Sequence, residues 1–252
     1  NAEKVVEKLM ANIKGAEAIC HAFSKDPVNL STGNFIYDRT DLEVGGREPF
    51  VFRRFYNAIN GREGVLGKDW NHNYEVHLEF TDGEAVLLRE DGKEERFFWE
   101  KDRYLSLFAS EGTLEKAEDG YTYRTREQKV YRFDREGMCL ETETLLGGRV
   151  TFTYETEAPF RLVKAEKDTG EFFAFSYGAD GMLERVEDHV GRCLSYQYQG
   201  GLLKEVRLPD GNTFRYGYTP QGKLEQVENP RGIVTVENFF DAEYRTTLQK
   251  VP

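Results

Sequence analysis

Histidines and closely spaced carboxylates are the residues of this chain that could do acid–base or metal chemistry. Glutamates occur in close pairs at Glu94-Glu95, Glu155/Glu157 and Glu184/Glu187. A pair of carboxylates on either side of a sugar linkage is the machinery of a glycosidase. The chain is rich in acid, with 45 Asp plus Glu, so such pairs also arise by chance. We therefore interpret these glutamates as the polar faces of strands and turns.

The four histidines have to be considered one by one, because each could be a metal ligand or a proton carrier. His21 lies near the end of a predicted helix, His77 on a predicted strand and His189 in a predicted turn. We interpret these three as structural or solvated. His72 lies in the segment Trp70-Asn71-His72-Asn73-Tyr74, where we expect it to fix an irregular turn by hydrogen bonding rather than to act in catalysis.

Motifs of the common enzyme classes do not occur in this sequence. It contains no H-E-x-x-H, G-x-S-x-G, P-loop or dinucleotide-binding pattern. Cys20, Cys139 and Cys193 are odd in number and form no C-x-x-C pair, which is typical of free, buried or half-buried thiols. The sequence thus predicts no catalytic residue, no metal site and no cofactor.

The charge balance limits the partners that the chain can have. With 34 Lys plus Arg against 45 Asp plus Glu, the net charge is −11. An acidic surface argues against nucleic acid or an anionic membrane as the partner. No apolar run approaches the length that a membrane-spanning helix needs. The chain begins with Asn1 and shows no signal peptide, so we expect a piece of a longer protein.

One short unit, written four times, organises the C-terminal half of the chain. In every copy the spacing from Leu to Gly is 8 residues and the spacing from Gly to an aromatic residue is 7, while the following turn varies in length. Length changes confined to turns are expected of a structural repeat. The four copies are Leu162/Ala165/Gly170/Tyr177, Leu183/Val186/Gly191/Tyr198, Leu203/Val206/Gly211/Tyr218 and Leu224/Val227/Gly232/Phe239.

Each unit predicts a β-hairpin. Alternating aromatic residues, as in Phe173-Ala174-Phe175-Ser176-Tyr177, place their rings on one face of a strand. The Leu-x-x-Val step of 3 does not fit a flat strand, so either the two residues face opposite sides or a bulge lies between them. In the fourth copy the aromatic position fits either Phe239 or Phe240. The copies together predict an antiparallel sheet that gains two strands per unit of about 21 residues.

Two further segments precede the repeats. Residues 2–23 predict an amphipathic helix, because Val5, Leu9, Ile13, Ala16, Cys20 and Phe23 form one apolar stripe. Residues 26–80 predict irregular strands and turns. We therefore divide the chain into an N-terminal helix (1–25), a pre-repeat β segment (26–80) and hairpin repeats (81–252), the most regular of which span 162–241.

These patterns resemble a known family. The unit Gly-x-x-x-x-Tyr-x-Tyr, followed by a Gly turn and Leu-x-x-Val, resembles the YD repeats of bacterial Rhs proteins, Tc-toxin C components and teneurins. The pre-repeat segment resembles the segment that precedes the repeats in Rhs proteins. The matching residues are Asp26, Pro27, Gly33, Tyr56, Asn57, Trp70, His72 and Tyr74.

The resemblance implies a fold and a function. It implies a mainly β chain in which continuous antiparallel hairpin repeats form an open, curved sheet, part of a hollow β-shell around a C-terminal polypeptide, often a toxin used between competing bacteria. The partners would be further repeats and the cargo of the same secreted or cell-surface protein. The Asp-Pro-x-Gly-Leu self-cleavage motif of such shells is absent, because Asp26-Pro27-Val28-Asn29-Leu30 lies at the wrong end and lacks the Gly.

Two alternatives remain open from the sequence. The last strand, near residues 239–247, would expose an edge that could pair with another copy of the chain. Instead of a shell segment, the chain could be a cell-surface or wall-associated module whose aromatic groove binds carbohydrate. Rings buried in the sheet's packed face would favour the shell, and coplanar rings exposed along a groove would favour glycan binding.

Overall fold

A computed structural model describes residues 28–29, 34–46, 48–106, 112–241 and 246–250 of the chain. These residues form 24 β-strands and no helix. The predicted helix over residues 2–23 lies outside the described residues, as do Cys20, His21, Asp26, Pro27 and Gly33 of the sequence predictions.

The strands before the long repeat sheet form three small sheets. They are β1 Val28–Asn29, β2 Asn34–Val44, β3 Phe50–Asn57, β4 Glu63–Gly64, β5 Gly67–Lys68, β6 Trp70–His72, β7 His77–Thr81, β8 Glu84–Leu88, β9 Glu94–Glu100 and β10 Arg103–Ser106. Their orders are β1-β2-β3-β6, which we call the pre-repeat sheet, β10-β9-β8-β7, and the ribbon β4-β5. All of their pairs are antiparallel.

The remaining 14 strands form one antiparallel sheet, the repeat sheet, in which each strand pairs with the next one along the chain. They are β11 Gly112–Ala117, β12 Gly120–Thr125, β13 Val130–Phe133, β14 Cys139–Glu143, β15 Arg149–Tyr154, β16 Leu162–Lys167, β17 Phe172–Tyr177, β18 Leu183–Asp188, β19 Cys193–Gln199, β20 Leu202–Arg207, β21 Thr213–Tyr218, β22 Leu224–Glu228, β23 Val234–Phe240 and β24 Thr246–Lys250. This topology confirms the predicted fold class of continuous antiparallel hairpins.

The glycines at fixed spacing mark one turn type. At the first repeat turn, the Lys167 N–H donates to the Glu171 carbonyl and the Gly170 N–H donates to the Lys167 carbonyl. This is a three-residue hairpin loop, which needs a left-handed residue at its third position. Gly170 meets that need with a φ of 98°. The recurring glycine therefore follows from the turn and needs no functional explanation.

The other three repeat glycines, Gly191, Gly211 and Gly232, occupy the same position in their own turns. Each donates its N–H to the carbonyl three residues earlier, and their φ angles are 84°, 85° and 74°. Like Gly170, all three are exposed. These glycines shape the hairpin ends and take no part in the packed face of the sheet.

A β-bulge explains the Leu-x-x-Val step. Ser176 pairs with Arg185, but its neighbour Tyr177 pairs with Leu183, which leaves Glu184 as an extra residue. The extra residue turns Leu183 and Val186 to the same face, where both are fully buried. The bulge alternative is therefore confirmed. The same shift recurs at the equivalent strand pairs of the other copies.

The fourth copy needs a correction. Our repeat positions included Phe239, but a further shift near Thr235 in β23 advances the register by one residue. Phe240 pairs with Thr246 just after the next bulge, as Tyr177 pairs with Leu183. Phe239 points outward and is 38% exposed. Phe240 therefore stands at the tyrosine position of this copy.

The structure also extends the array by one copy toward the N-terminus. Cys139, Thr142, Gly147 and Tyr154 keep the spacings of 8 and 7 residues. Cys139 pairs with Phe133 across a bulge, and both Cys139 and Thr142 are buried. Cysteine and threonine thus take the Leu and Val positions, since both are small enough and apolar enough to be buried there.

Candidate functional site

The pre-repeat sheet packs against the ring-bearing face of the repeat sheet, and we call this contact the interlayer interface. Phe50 stacks on Phe173 with ring centroids 4.5 Å apart, and Trp70 meets Tyr216 edge-on at 5.1 Å. All four rings are buried. Aromatic pairs of this kind stabilise a core by about 0.5–1.5 kcal/mol beyond the burial of their area. The interface is therefore the main core of the described chain.

The repeat tyrosines form a ladder of hydrogen bonds at one edge of the interface. The hydroxyl of Tyr177 donates to the Leu162 carbonyl at 2.7 Å, and Tyr198 donates to the Leu183 carbonyl at 2.6 Å. Tyr154 and Tyr218 make the same bond, each to the carbonyl 15 residues earlier. In the fourth copy, where the ring is Phe240, the amide of Asn238 reaches the equivalent carbonyl of Leu224 at 3.0 Å. Each copy thus has its own side-chain hydrogen bond to the backbone carbonyl at this position.

The pre-repeat motif residues contact this edge. Trp70 Nε1 donates to the hydroxyl of Tyr218 at 3.0 Å, and the Leu224 N–H donates to the hydroxyl of Tyr56 at 2.9 Å. The Tyr74 hydroxyl donates to the Val51 carbonyl at 2.6 Å within the pre-repeat segment. Asn57 Oδ1 accepts a buried bond from Asn34. These motif residues hold the pre-repeat segment together and fix it to the repeat sheet.

His72 is fully buried and stacks on Phe175 with ring centroids 5.5 Å apart. Its Nδ1 accepts the N–H of Tyr74 at 3.2 Å. Burial lowers the pKa of His72 to about 3, so the ring is neutral at physiological pH. In the described part of the chain, no group of three or more His, Cys, Asp or Glu could hold a metal ion. His72 is thus placed as a packing and hydrogen-bonding residue.

A buried ion pair lies inside the interface. The Arg54 guanidinium binds both oxygens of Asp41, and both side chains have no exposed surface. Arg54 Nη2 also donates to the hydroxyl of Tyr216 at 2.9 Å, and its charge lies over the ring of Trp70 at 5.1 Å. Breaking such a pair by removing one partner costs several kcal/mol, because a charge is left buried. The pre-repeat segment that resembles Rhs proteins includes both residues, but its pattern does not show that they pair with each other.

The ribbon β4-β5 docks on the turns of two successive copies. The Leu183 N–H donates to the Val65 carbonyl at 2.8 Å, and the Lys68 N–H donates to the Gly201 carbonyl at 3.3 Å. A Cβ atom on Gly67 would lie 2.5 Å from the Gly201 oxygen, and Gly67 has a φ of 91°. Only glycine allows the two backbones to approach this closely.

A second ion pair ties the pre-repeat segment to the fourth copy. Lys223 Nζ lies 3.0 Å from Asp69 Oδ2, and it also donates to the carbonyl of Ala58. Asp69 is fully buried and its other oxygen accepts the Gly61 N–H at 2.8 Å. In the two preceding copies, Met182 and Leu202 stand at the position of Lys223, directly before the repeat leucine, and Arg161 of the first copy pairs with Glu155 instead. This pair therefore distinguishes the fourth copy from its neighbours.

The glutamates of the sequence analysis take different places. Glu94 and Glu95 are buried, which corrects their interpretation as solvated strand faces. Arg62 and Arg96 pair with Glu94, and Arg89 pairs with Glu95 at 2.6 Å. The other two pairs lie on exposed or half-buried surface as expected, with Glu155 bound to Arg161 and Glu187 to Arg185. Arginine partners of this kind favour a role of these glutamates in ion pairs over a role as paired catalytic acids.

A cavity of about 360 Å³ lies beside the interface, lined in part by Glu75, His77, Glu79 and Tyr154. Glu79 is held by Arg62 at 2.7 Å and by His77 at 3.2 Å. Glu75 accepts the His72 N–H at 2.9 Å, and burial raises its pKa to about 7. Glu75 and Glu79 are thus engaged within the protein, which favours a structural role for these two acids.

His189, Cys139 and Cys193 are the remaining described residues that the sequence analysis considered for chemistry. His189 lies in a turn, where its ring meets Phe172 edge-on. Cys139 and Cys193 are free thiols, buried and half-buried respectively. Burial raises the pKa of both thiols, which makes them poor nucleophiles.

The repeat glycines also lie outside the interlayer interface. Gly170, Gly191, Gly211 and Gly232 are exposed at the tips of their hairpins, and a Cβ atom at each would meet no atom closer than 3.9 Å. The structure thus separates the predicted repeat positions into two groups. The tyrosines contact the interface, and the glycines serve their turns alone.

Comparison with known proteins gives one family model and several relatives. Residues 25–97 match the family described as "Domain of unknown function (DUF6531)". The chain is 34% identical over 87% of its length to "Probable deoxyribonuclease RhsB" of Dickeya dadantii, of which it covers 15%. It is 26% identical over 86% of its length to "tRNA nuclease WapA" of Bacillus subtilis, of which it covers 9%.

Among solved structures, the crystal structure of TcdB2-TccC3-Cdc42 matches 86% of this chain and 12% of that chain, at 14% identity and a TM-score of 0.35. Such a low score carries no argument about the fold. The chain spans between 9% and 16% of the length of the curated relatives it matches. Among the described residues, no helix is long and apolar enough to cross a membrane. Taken with the repeat unit and the pre-repeat motif, the relatives show that the chain belongs to the Rhs/YD-repeat family.

Proposed function

We propose that this chain is a non-enzymatic structural segment of a longer Rhs-family protein and forms an end-piece of its β-shell. The observation that carries the proposal is the interlayer interface, in which the pre-repeat sheet covers the ring-bearing face of the repeat sheet. A wall segment that lined an open chamber would leave that face free for cargo. A face already filled by the same chain suits the closed end of a shell.

The relatives support a wider role for the longer protein. RhsB and WapA are named for nuclease activity, and this chain covers only a small part of each. In our proposal the nuclease or other toxin is a C-terminal polypeptide of the same long chain, enclosed by further repeats. The shell would be secreted or displayed on a bacterial surface and used in competition between bacteria.

Three finer predictions belong to the same proposal. The division into a helix (1–25), a pre-repeat segment (26–80) and repeats (81–252) is one. Another is self-association through the edge of β24, which in the described residues pairs with β23 alone. The third is that the chain does not bind nucleic acid, on account of its net charge of −11.

The alternative, a carbohydrate-binding module, has less support. The inner rings of the repeats, such as Phe173, Tyr196 and Tyr216, are at most 3% exposed, so they form no open groove. A cluster near the start of the repeat sheet does include the exposed Trp99, but its ring meets Tyr104 at an angle of 68°. Rings packed edge-on offer no flat platform for a sugar, which favours the structural role.

The test uses the full-length protein that contains this segment. Trp70→Ala removes a ring that is 1% exposed and lies in the interlayer interface, whereas Trp99→Ala removes one that is 41% exposed. We expect the enclosed polypeptide to resist added protease in the wild type and in the Trp99 variant, and to be cut in the Trp70 variant. Equal protection in all three proteins, with the Trp70 variant shown to have lost its interface, would contradict the end-piece role.

A further inference from the structure

Three buried polar atoms in the interlayer interface have no hydrogen-bond partner among the described residues. They are Nη1 of Arg54, Nε2 of His72 and the hydroxyl oxygen of Tyr196. The three side chains are 0%, 0% and 3% exposed. A buried polar group without a partner costs about 1–3 kcal/mol, so three in one core require an explanation.

The three residues lie around the same part of the core. Arg54 on β3 and His72 on β6 are directly opposed in the antiparallel pair, which places their side chains side by side on one face. The Arg54 guanidinium lies 5.8 Å from the centre of the Tyr196 ring. Phe52 contacts both other rings, at 5.2 Å from His72 and 6.4 Å from Tyr196.

All three atoms can donate a hydrogen bond. A guanidinium has donors and no acceptor. The His72 ring accepts the Tyr74 N–H at Nδ1, so the proton of the neutral ring is on Nε2 and that atom donates. The Tyr196 hydroxyl also has a proton to donate. Arg54 and His72 are cross-strand neighbours and the Tyr196 ring lies beside Arg54, so one acceptor among them would satisfy all three donors.

The charges around this point favour an acceptor with a negative charge. Asp41 serves two guanidiniums, since it binds Arg54 through both oxygens and also lies 3.4 Å from Arg39. Arg54 and Arg39 together therefore carry one more positive charge than Asp41 neutralises. The hydroxyl of Tyr216 also accepts a hydrogen bond from Arg54, at 2.9 Å, and adds no charge.

We propose that Arg54, His72 and Tyr196 form a buried site for one small hydrogen-bond acceptor, a chloride ion or a water molecule, that locks the pre-repeat sheet onto the repeat sheet. The two occupants share the same chemistry, because each accepts hydrogen bonds from donors around it. The excess positive charge favours chloride, whereas buried donors without a protein partner are also typical ligands of an ordered water.

Crystals of the chain grown in sodium bromide distinguish the two occupants. Electron density within hydrogen-bond distance of the three donor atoms is expected. An anomalous bromide peak there identifies a halide site, and density of a single oxygen without such a peak identifies a water. A structure in which no atom lies within reach of at least two of the donors would overturn the proposal.

The variant Tyr196→Phe gives a second test whose sign is diagnostic. If the hydroxyl donates to a bound acceptor, its loss lowers the melting temperature by about 2–4 °C, as the loss of one net hydrogen bond does in a chain of this size. If the hydroxyl is truly unpaired, its removal raises the melting temperature instead. Tyr177→Phe, which loses a bond to the Leu162 carbonyl, sets the scale of the fall.

Discussion

Replacing Lys223 by Met should weaken the interlayer interface more than the loss of any single exposed charge. The substitution keeps the length and apolar stem of the side chain, and Met182 already stands at the equivalent position two copies earlier. It leaves the fully buried Asp69 without the cation that lies 3.0 Å away. Removing one partner of a buried ion pair lowers the free energy of unfolding by about 3–5 kcal/mol.

The expected loss is smaller than that full amount. Lys223 is 19% exposed, so some water reaches the pair, and the Gly61 N–H still binds Asp69. We therefore expect the free energy of unfolding, measured in urea, to fall by about 2–3 kcal/mol. The control Lys204→Met removes a half-buried lysine from a bulge on β20, where it loses only a contact with the ring of Tyr218, and should lower the free energy of unfolding by less than about 1 kcal/mol.

A double-mutant cycle isolates the pair from the rest of the side chain. Asp69→Asn and Lys223→Met should together cost less than the sum of the two single changes, by about 1–2 kcal/mol. Adding Leu202→Lys to the Lys223 variant moves the cation by one copy and should restore nothing, because Asp69 faces the fourth copy. Strictly additive single changes, or full rescue by the displaced lysine, would refute the reasoning.

Three further predictions concern a hydrogen bond, a close backbone contact and a buried acid. Tyr177→Phe should lower the free energy of unfolding by about 1 kcal/mol, because the Leu162 carbonyl loses its donor; an unchanged value would show that the tyrosine ladder adds no stability. Gly67→Ala should lower the free energy of unfolding by at least about 2 kcal/mol, since its Cβ would lie 2.5 Å from the Gly201 oxygen at a φ of 91°. The control Gly83→Ala, with open space around it, should lower it by less. Burial raises the pKa of Glu75 to about 7, so the Glu75 carboxyl binds its proton more tightly in the folded chain than in the unfolded chain. The stability that this protonated carboxyl contributes is lost as the pH rises from about 4.5 to 7. Glu75→Gln should therefore stabilise the chain by about 1–3 kcal/mol at pH 8 and by little at pH 4; an equal effect at both pH values would contradict the shifted pKa.

Local features of the fold could be predicted from the sequence because local chemistry determines them. The hairpin turns require a left-handed residue, so glycine recurs at fixed spacing and marks each turn. The Leu-x-x-Val step left two possibilities, and only the strand pairing decides between a bulge and opposite faces. The sequence pattern did not place Cys139 at a repeat leucine position because cysteine differs chemically from leucine, although Cys139 is buried as the repeat leucines are.

Fixed spacing alone does not say whether a residue contacts the interface. Gly191, Gly211 and Gly232 recur as regularly as Tyr198 and Tyr218, yet the glycines are exposed at hairpin tips and the tyrosines bond at the edge of the interface. A turn and a packed ring are both repeated once per copy, so the sequence period is the same for each. Only the arrangement of the two sheets separates them.

The contacts that join the two sheets could not be predicted. Lys223 and Asp69 are 154 residues apart, and neither stands in a motif that names its partner. The same holds for Asp41 and Arg54, because the pattern of the pre-repeat segment contains both residues and does not show that they pair. The register of the fourth copy was ambiguous because a shift near Thr235, which has no sequence signature, moves Phe240 into the tyrosine position.

The fluorescence of Trp70 tests the interlayer interface most directly. The chain has two tryptophans, and Trp99→Phe removes the exposed one, so all remaining indole emission comes from Trp70. The account predicts emission shifted to short wavelength and little quenching by acrylamide, because Trp70 is 1% exposed beneath the repeat sheet. Emission and quenching like those of free tryptophan would show that the pre-repeat sheet does not cover the repeats, and would contradict the end-piece role.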